Sequence, residues 1–230
     1  MNKPFDFFYR FWLTEWSLSA LTATLVIYIF AIFPLADVGW VGRIVRSTFF
    51  TLLLMSGAVA VGRLKIRPVP VIAIVALTVL VHWASLLRSS EVLDTLERAL
   101  FLLSLMILAA IVLARVFASG PVNVHRIQGA VCAYLLLGLM WATAYSIAQI
   151  VHPGAIQFPA SQAEPRQHGS EFVYYSFVTL TTLGYGDMIP TIPATRSLAT
   201  LEALVGQLYP AILIARLVSL ELSDRERGKK

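Results

Sequence analysis

Six apolar runs separated by short polar turns restrict this chain to one class of fold. The runs lie at about 17–35, 40–62, 68–87, 98–118, 126–151 and 194–220. Each is near the ~20 residues that cross a bilayer as a helix. Hydrocarbon offers no hydrogen bonds, so the backbone of such runs must satisfy itself, and an α-helix does so within one segment. The composition agrees: 58% of the 230 residues are hydrophobic and 13% are charged, against about 25% charged in soluble domains. A pI near 9.6 raises nucleic acid as a partner, but the basic residues sit at the edges of the runs, where a topological role accounts for them. The single cysteine, Cys132, lies in an apolar run, excludes an intrachain disulfide and reads as a small core residue. The first apolar run starts late and is long enough to span, so no cleavable leader is expected. The expectation is an all-α membrane protein of about six transmembrane helices in one membrane body.

One stretch breaks the pattern. Thr181-Thr182-Leu183-Gly184-Tyr185-Gly186-Asp187 is polar, glycine-bearing backbone between two apolar runs. Irregular backbone at membrane depth is tolerated only where it is buried in protein or lines a wet cavity. Before it, Ser170 is a good helix N-cap, and Phe172 to Thr181 makes a helix of about three turns, too short to span. Such a helix descends part-way, and its negative C-terminal end favours a cation. Glycine reaches conformations closed to other residues, so the carbonyls of residues 182–186 can face one axis.

Thr182-Leu183-Gly184-Tyr185-Gly186-Asp187 resembles the selectivity filter of potassium channels, with Leu183 where Val or Ile is more usual. The resemblance is specific over about 170–187, moderate to about 220, and for the first four runs it is only a matter of number. It implies a re-entrant pore helix and filter loop between the last two spans. The main-chain oxygens of Thr182, Leu183, Gly184, Tyr185 and Gly186 would replace the water around a potassium ion. It also implies a homotetramer, because one strand cannot enclose an ion. Tyr174 and Tyr175 stand where the family carries an aromatic pair bracing the filter tyrosine, here Tyr185. Asp187 would cap the outer mouth and bond back to the pore helix. The family often has a glutamate on that helix, and the matching position here is Val178, a departure that puts the family's carboxyl pair in doubt.

The chain divides into an N-terminal interfacial segment (1–16), a four-span peripheral domain (17–118), a pore domain (119–220) and a cytoplasmic tail (221–230). Residues 1–16 are aromatic and mixed in charge and form either a helix lying on the membrane or the wet start of the first span. With the N-terminus in the cytoplasm, twelve of the 18 Lys and Arg residues fall on that side, Arg63, Lys65 and Arg67 among them, and six on the other. The positive-inside rule favours this orientation, with both termini cytoplasmic, the filter loop outward and the cell membrane as the location. A voltage sensor needs several arginines along one helix, because each charge supplies only about 2.3 kcal/mol per 100 mV. The fourth run has no basic residue between Arg98 and Arg115, and the link after it contains the breaker Gly120-Pro121. Opening is therefore not expected to follow voltage in the usual way.

In the last span Gly206 stands where related channels carry a hinge glycine, and Pro210 one turn later removes a backbone hydrogen bond. They form either a bend for opening or a packing glycine with a static kink. Helical spacing puts Gln207, Pro210, Ile214 and Val218 on one stripe, read as pore lining, with Ile214 or Val218 as an apolar constriction. Glu202 is an ionisable residue within a span, hence functional or paired. It is read either as filter support, through a hydrogen bond to Thr or Tyr behind the pore helix, or as a pH sensor. His82, inside the third run, is either packed or a ligand or proton sensor. His125, His152 and His168 lie at edges or in the outer turret of 152–169, where Glu164, Arg166 and His168, with Glu171 beyond, read either as a solvated loop or as groups that tune outer pH response or cation attraction.

These features point to passive, selective potassium conduction. No catalytic residue, cofactor, structural metal site, nucleic-acid surface or cytoplasmic ligand domain is expected. Membrane lipids and further copies of the chain are the expected partners. A potassium-transporter subunit and a non-conducting modulatory subunit are the alternatives.

Overall fold

The structure is a computed structural model that describes residues 19–32, 39–62, 69–87, 90–118, 124–159 and 169–227. Its helices are α1 (Ser19–Ile32), α2 (Gly39–Gly62), α3 (Val69–Leu87), α4 (Glu91–Phe117), α5 (Val124–Val151), α6 (Gly169–Leu180) and α7 (Pro193–Arg227). The last turn of α1, Tyr28–Ile32, is wound as a π-helix. Two short strands, β1 (Ile156–Gln157) and β2 (Ile189–Pro190), pair antiparallel with Ile156 opposite Pro190. The expected residues 1–16, the Gly120-Pro121 link and the turret residues Glu164, Arg166 and His168 lie outside the described residues.

Among the described residues four helical stretches are long and apolar enough to cross a membrane: Val69–Leu87, Val92–Phe117, Val124–Val151 and Pro193–Leu222. The first two expected runs appear as shorter apolar stretches, Ser19–Ile32 and Ile44–Ala58. The helical membrane architecture is therefore present, while four spans, not six, are established by length and hydropathy. At about 1.5 Å per residue, the 12 residues of α6 reach only ~18 Å, well short of the ~30 Å hydrocarbon core.

Successive helices pack on one another, α2 on α3, α3 on α4, α4 on α5 and α5 on α6, with α6 then lying against α7. The centre is α5. Within its spanning window 67% of residues are buried, against 17% for α7, so α5 is a core helix and α7 leaves most of its surface uncovered. Leu21 and Leu25 of α1, Leu53 and Leu54 of α2, Leu105 and Leu108 of α4 and Leu136 of α5 are all fully buried. In lipid no hydrophobic drive holds helices together, so van der Waals packing and interhelical hydrogen bonds do this. One such bond joins Thr78 of α3 to Ser104 of α4 at 3.0 Å. The segments flanking α6 are tied to each other: the β1–β2 pair is extended by Thr191 N–H on Ala155 O at 3.0 Å and Thr195 Oγ1 on the same oxygen at 2.9 Å.

Candidate ion pathway

The stretch after α6 has an alternating backbone. Thr182, Gly184 and Gly186 have φ of 59°, 57° and 77°, and no other described residue except Gly154 has a positive φ. Alternation between left-handed and ordinary residues lets successive peptide oxygens face one side, and it explains the glycine spacing. A side chain at Gly184 or Gly186 would meet nothing within 4 Å, so it is conformation and not space that requires glycine there.

The hydrogen bonds sort donors from acceptors. Thr181 N–H donates to Phe177 O at 3.0 Å, Thr182 N–H to Thr179 O at 2.9 Å, and Leu183 and Gly184 N–H both to Val178 O at 2.9 and 3.2 Å. These bonds turn the N–H groups back onto the last carbonyls of α6, which a helix end leaves unpaired. Among the described residues no donor reaches the carbonyls of residues 182–186. Residues 181–187 are all exposed in the single chain, with Leu183 at 56% and Tyr185 at 66%. Backbone acceptors without a donor in the chain need water, a cation or another protein group opposite them.

At the far end of the loop Tyr174 donates to Asp187 Oδ2 at 2.7 Å and Met188 N–H donates to Oδ1 at 3.0 Å. The bond to Asp187 is the main reason that the Tyr174 phenol is pushed up to about 12, so it is a neutral donor at ordinary pH. Tyr174 thus holds the Asp187 carboxylate against α6. Tyr175 packs edge-on against Tyr145, ring centroids 4.8 Å apart. Among the described residues of the single chain neither makes a ring contact with Tyr185.

Behind α6 the structure brings together residues that the sequence kept apart. Glu202 is fully buried, with Tyr145 donating to Oε2 at 2.6 Å and Ser176 lying 2.5 Å from Oε1. Its partners are thus a tyrosine of α5 and a serine of α6. The carboxyl behind the pore helix comes from α7, whereas Val178, at the family's glutamate position, gives its backbone oxygen to the loop. One turn on, a Cβ at Gly206 would lie 1.8 Å from Leu180 O, so the end of α6 rests directly on the α7 backbone. α7 continues helical through Pro210, whose missing N–H would have bonded Gly206 O. Gln207, Pro210, Ile214 and Val218 are all uncovered on α7, as are Leu204, Leu208 and Ile212.

A second polar cluster lies in the peripheral helices. His82 Nδ1 is 2.7 Å from Glu97 Oε1, and Ser85 Oγ is 2.5 Å from Oε2. His82 stacks on Phe50 with ring centroids 4.2 Å apart. The pair edges a cavity of about 260 Å³ that Arg46, Asp94 and Arg98 also line and that reaches Phe172 and Val173 of α6. Arg98 donates to Ser146 of α5. His82 is therefore a paired residue. The readable signal was the position of His82 late in one apolar run and of Glu97 just before the next, which brings the two together when successive helices pack on each other. No residue pattern announced Ser176 or Tyr145 as partners of Glu202, because both lie among apolar neighbours on other elements. Among the described residues no group of three His, Cys, Asp or Glu is placed to hold a metal ion.

A family model described as "Ion channel" matches residues 133–221, the unit running from α5 through α7. Protein LctB of Bacillus caldotenax is 34% identical over 107 residues, which are 45% of this chain and 78% of that protein. This chain belongs to the potassium-channel family. Potassium voltage-gated channel subfamily A member 10 of Mus musculus is 38% identical over 76 residues, 32% of this channel-family chain and 15% of that protein. Two pore potassium channel c of Oryza sativa subsp. japonica is 32% identical over 94 residues, 41% of this chain and 18% of that protein. The chain thus spans less than a fifth of the length of these two named channels. No solved structure matches it. The family assignment makes this a multi-pass membrane protein of the ion-channel type, with the alternating loop inside the matched region.

Proposed function

We propose that four copies of this chain enclose an axial pore that conducts potassium ions passively and selectively. The observation that carries the reading is the loop 182–186: φ alternates in sign, the N–H groups at its start are bonded back to α6, and the carbonyls are free. Oxygens so arranged, from several copies, substitute for the hydration shell of a bare cation. The uncovered loop and the uncovered surface of α7 favour further copies as the cover. The C-terminus of α6 points its partial negative charge toward the cation's path.

The peripheral helices in this reading do not sense voltage. α4 carries no basic residue between Arg98 and Arg115, and Arg98 is engaged with Ser146. Both termini are cytoplasmic and the turret faces outward in the cell membrane, in line with the basic-residue bias. Opening bends α7 at Pro210, where a backbone hydrogen bond is missing, one turn beyond the contact of Gly206 with Leu180. The stripe Gln207, Ile214 and Val218 then faces the axis.

The test is flux from the purified full chain in liposomes. Potassium efflux that needs no energy source, is blocked by barium and greatly exceeds sodium efflux supports the reading. Equal sodium and potassium flux sinks it. Flux only with an added ion gradient or energy source points to a transporter subunit, and absence of flux to a modulatory one.

A further inference from the structure

The hydrogen count around Glu202 fixes more than its partners. Ser176 Oγ lies 2.5 Å from Glu202 Oε1 and 2.7 Å from the carbonyl oxygen of Gly138 on α5. A serine hydroxyl carries one hydrogen, and the Gly138 oxygen can only accept. An ionised Glu202 would leave Ser176 facing two acceptors with one hydrogen to give. It would also place a charge in a fully buried site where, among the described residues, no basic side chain forms an ion pair with it. Such a charge is costly unless paired. A neutral Glu202 satisfies every contact. Tyr145 donates to Oε2, Oε1–H donates to Ser176, and Ser176 donates to Gly138.

We propose that Glu202 is a neutral carboxylic acid whose proton is donated to Ser176, and that the resulting relay from α7 through α6 to α5 holds the filter in place. Glu202 acts as a positioning residue through α6; this function rests on reading residues 182–186 as an ion filter. Glu202 and Gly206 are one turn apart on α7, and Ser176 and Leu180 one turn apart on α6. The pairs meet in the same register, Glu202 on Ser176 and Gly206 on Leu180. α7 therefore grips α6 at two successive turns, and the second turn ends at the residue before Thr181. A shift of the inner helix is passed to the helix from which the filter loop starts.

The experiment uses the purified full chain and its variants Glu202→Gln and Ser176→Ala. Infrared difference spectra at neutral pH are expected to show the carbonyl stretch of a protonated, hydrogen-bonded carboxyl group in the parent chain. The band is absent from Glu202→Gln and moves to higher frequency in Ser176→Ala, where the acid loses its acceptor. Absence of the band from the parent, or a band indifferent to Ser176→Ala, overturns the proton assignment. In liposomes Ser176→Ala is expected to lower the ratio of potassium to sodium flux several-fold, and an unchanged ratio overturns the positioning role. A parent chain that conducts no potassium at all sinks the channel reading instead, while the infrared band still decides the protonation of Glu202.

Discussion

Gly206→Ala is the sharpest mutational test, because hinge and packing roles give opposite results. The added Cβ would lie 1.8 Å from Leu180 O, 2.7 Å from its carbonyl carbon and 3.0 Å from its Cα. All three are backbone atoms, so no rotamer change relieves the clash. Ordinary contact begins at 3.4 Å, so α6 and α7 must separate by roughly 1.6 Å at this level. Overpacking of this kind costs about 1–3 kcal/mol, occasionally more. Alanine returns up to about 1 kcal/mol of helix propensity, so the expected net loss is on the order of 1–2 kcal/mol. A displacement of Leu180 carries Thr181 and Thr182 with it, and the alternating loop shifts against any neighbouring copy. Thermal unfolding of the purified protein, with potassium or sodium as the cation, measures both effects. The expected outcome is a lower melting temperature together with a diminished extra stabilisation by potassium. A pure hinge glycine would instead leave the melting temperature unchanged or raised and would impair only opening. Gly206→Ala with parental stability and potassium response would refute the packing argument.

Gly184→Ala forces a side chain into φ of 57° at a cost of about 1–2 kcal/mol, and potassium flux is expected to vanish while the rest of the helical signal, read by circular dichroism, is retained. Glu97→Ala removes the partner of both His82 and Ser85; leaving a buried polar group without its partner costs about 1–3 kcal/mol, measurable as a lower melting temperature. The Tyr174 phenol stands at about 12 in the folded chain against an ordinary 10.0. Its contribution to stability is thus complete below pH 10.0 and is lost as pH rises towards 12. Stability difference between the parent and Tyr174→Phe is accordingly expected to stay constant through neutral pH and to shrink only in that alkaline window; a change near neutrality would exclude the bond to Asp187 as its source.

Periodic hydropathy located most of the helices, because a bilayer leaves the backbone few alternatives. The expected runs 68–87, 98–118, 126–151 and 194–220 correspond to α3, α4, α5 and α7, with α4 beginning earlier, at Glu91, and α7 ending later, at Arg227. Ser170, expected as N-cap, lies one residue inside α6, which begins at Gly169, a displacement within the fraying of helix ends. The loop 181–187 was legible because its conformation is written locally: of the left-handed positions 182, 184 and 186, two are glycine, and glycine shows in a sequence.

What the residues alone determined is the part of this protein governed by neighbours in the chain: helices where hydropathy persists, and a turn-rich loop where glycines alternate. Only the tertiary structure decided what depends on the approach of distant segments. Glu202 had a Thr or Tyr behind the short helix as its expected partner, and only the approach of α5 and α6 picks out Tyr145 and Ser176. Gly206 was open between a joint and a packing glycine until Leu180 O was found against it. Van der Waals contacts and shared hydrogens act over a few ångströms, so they select partners by three-dimensional proximity, which helical periodicity does not encode.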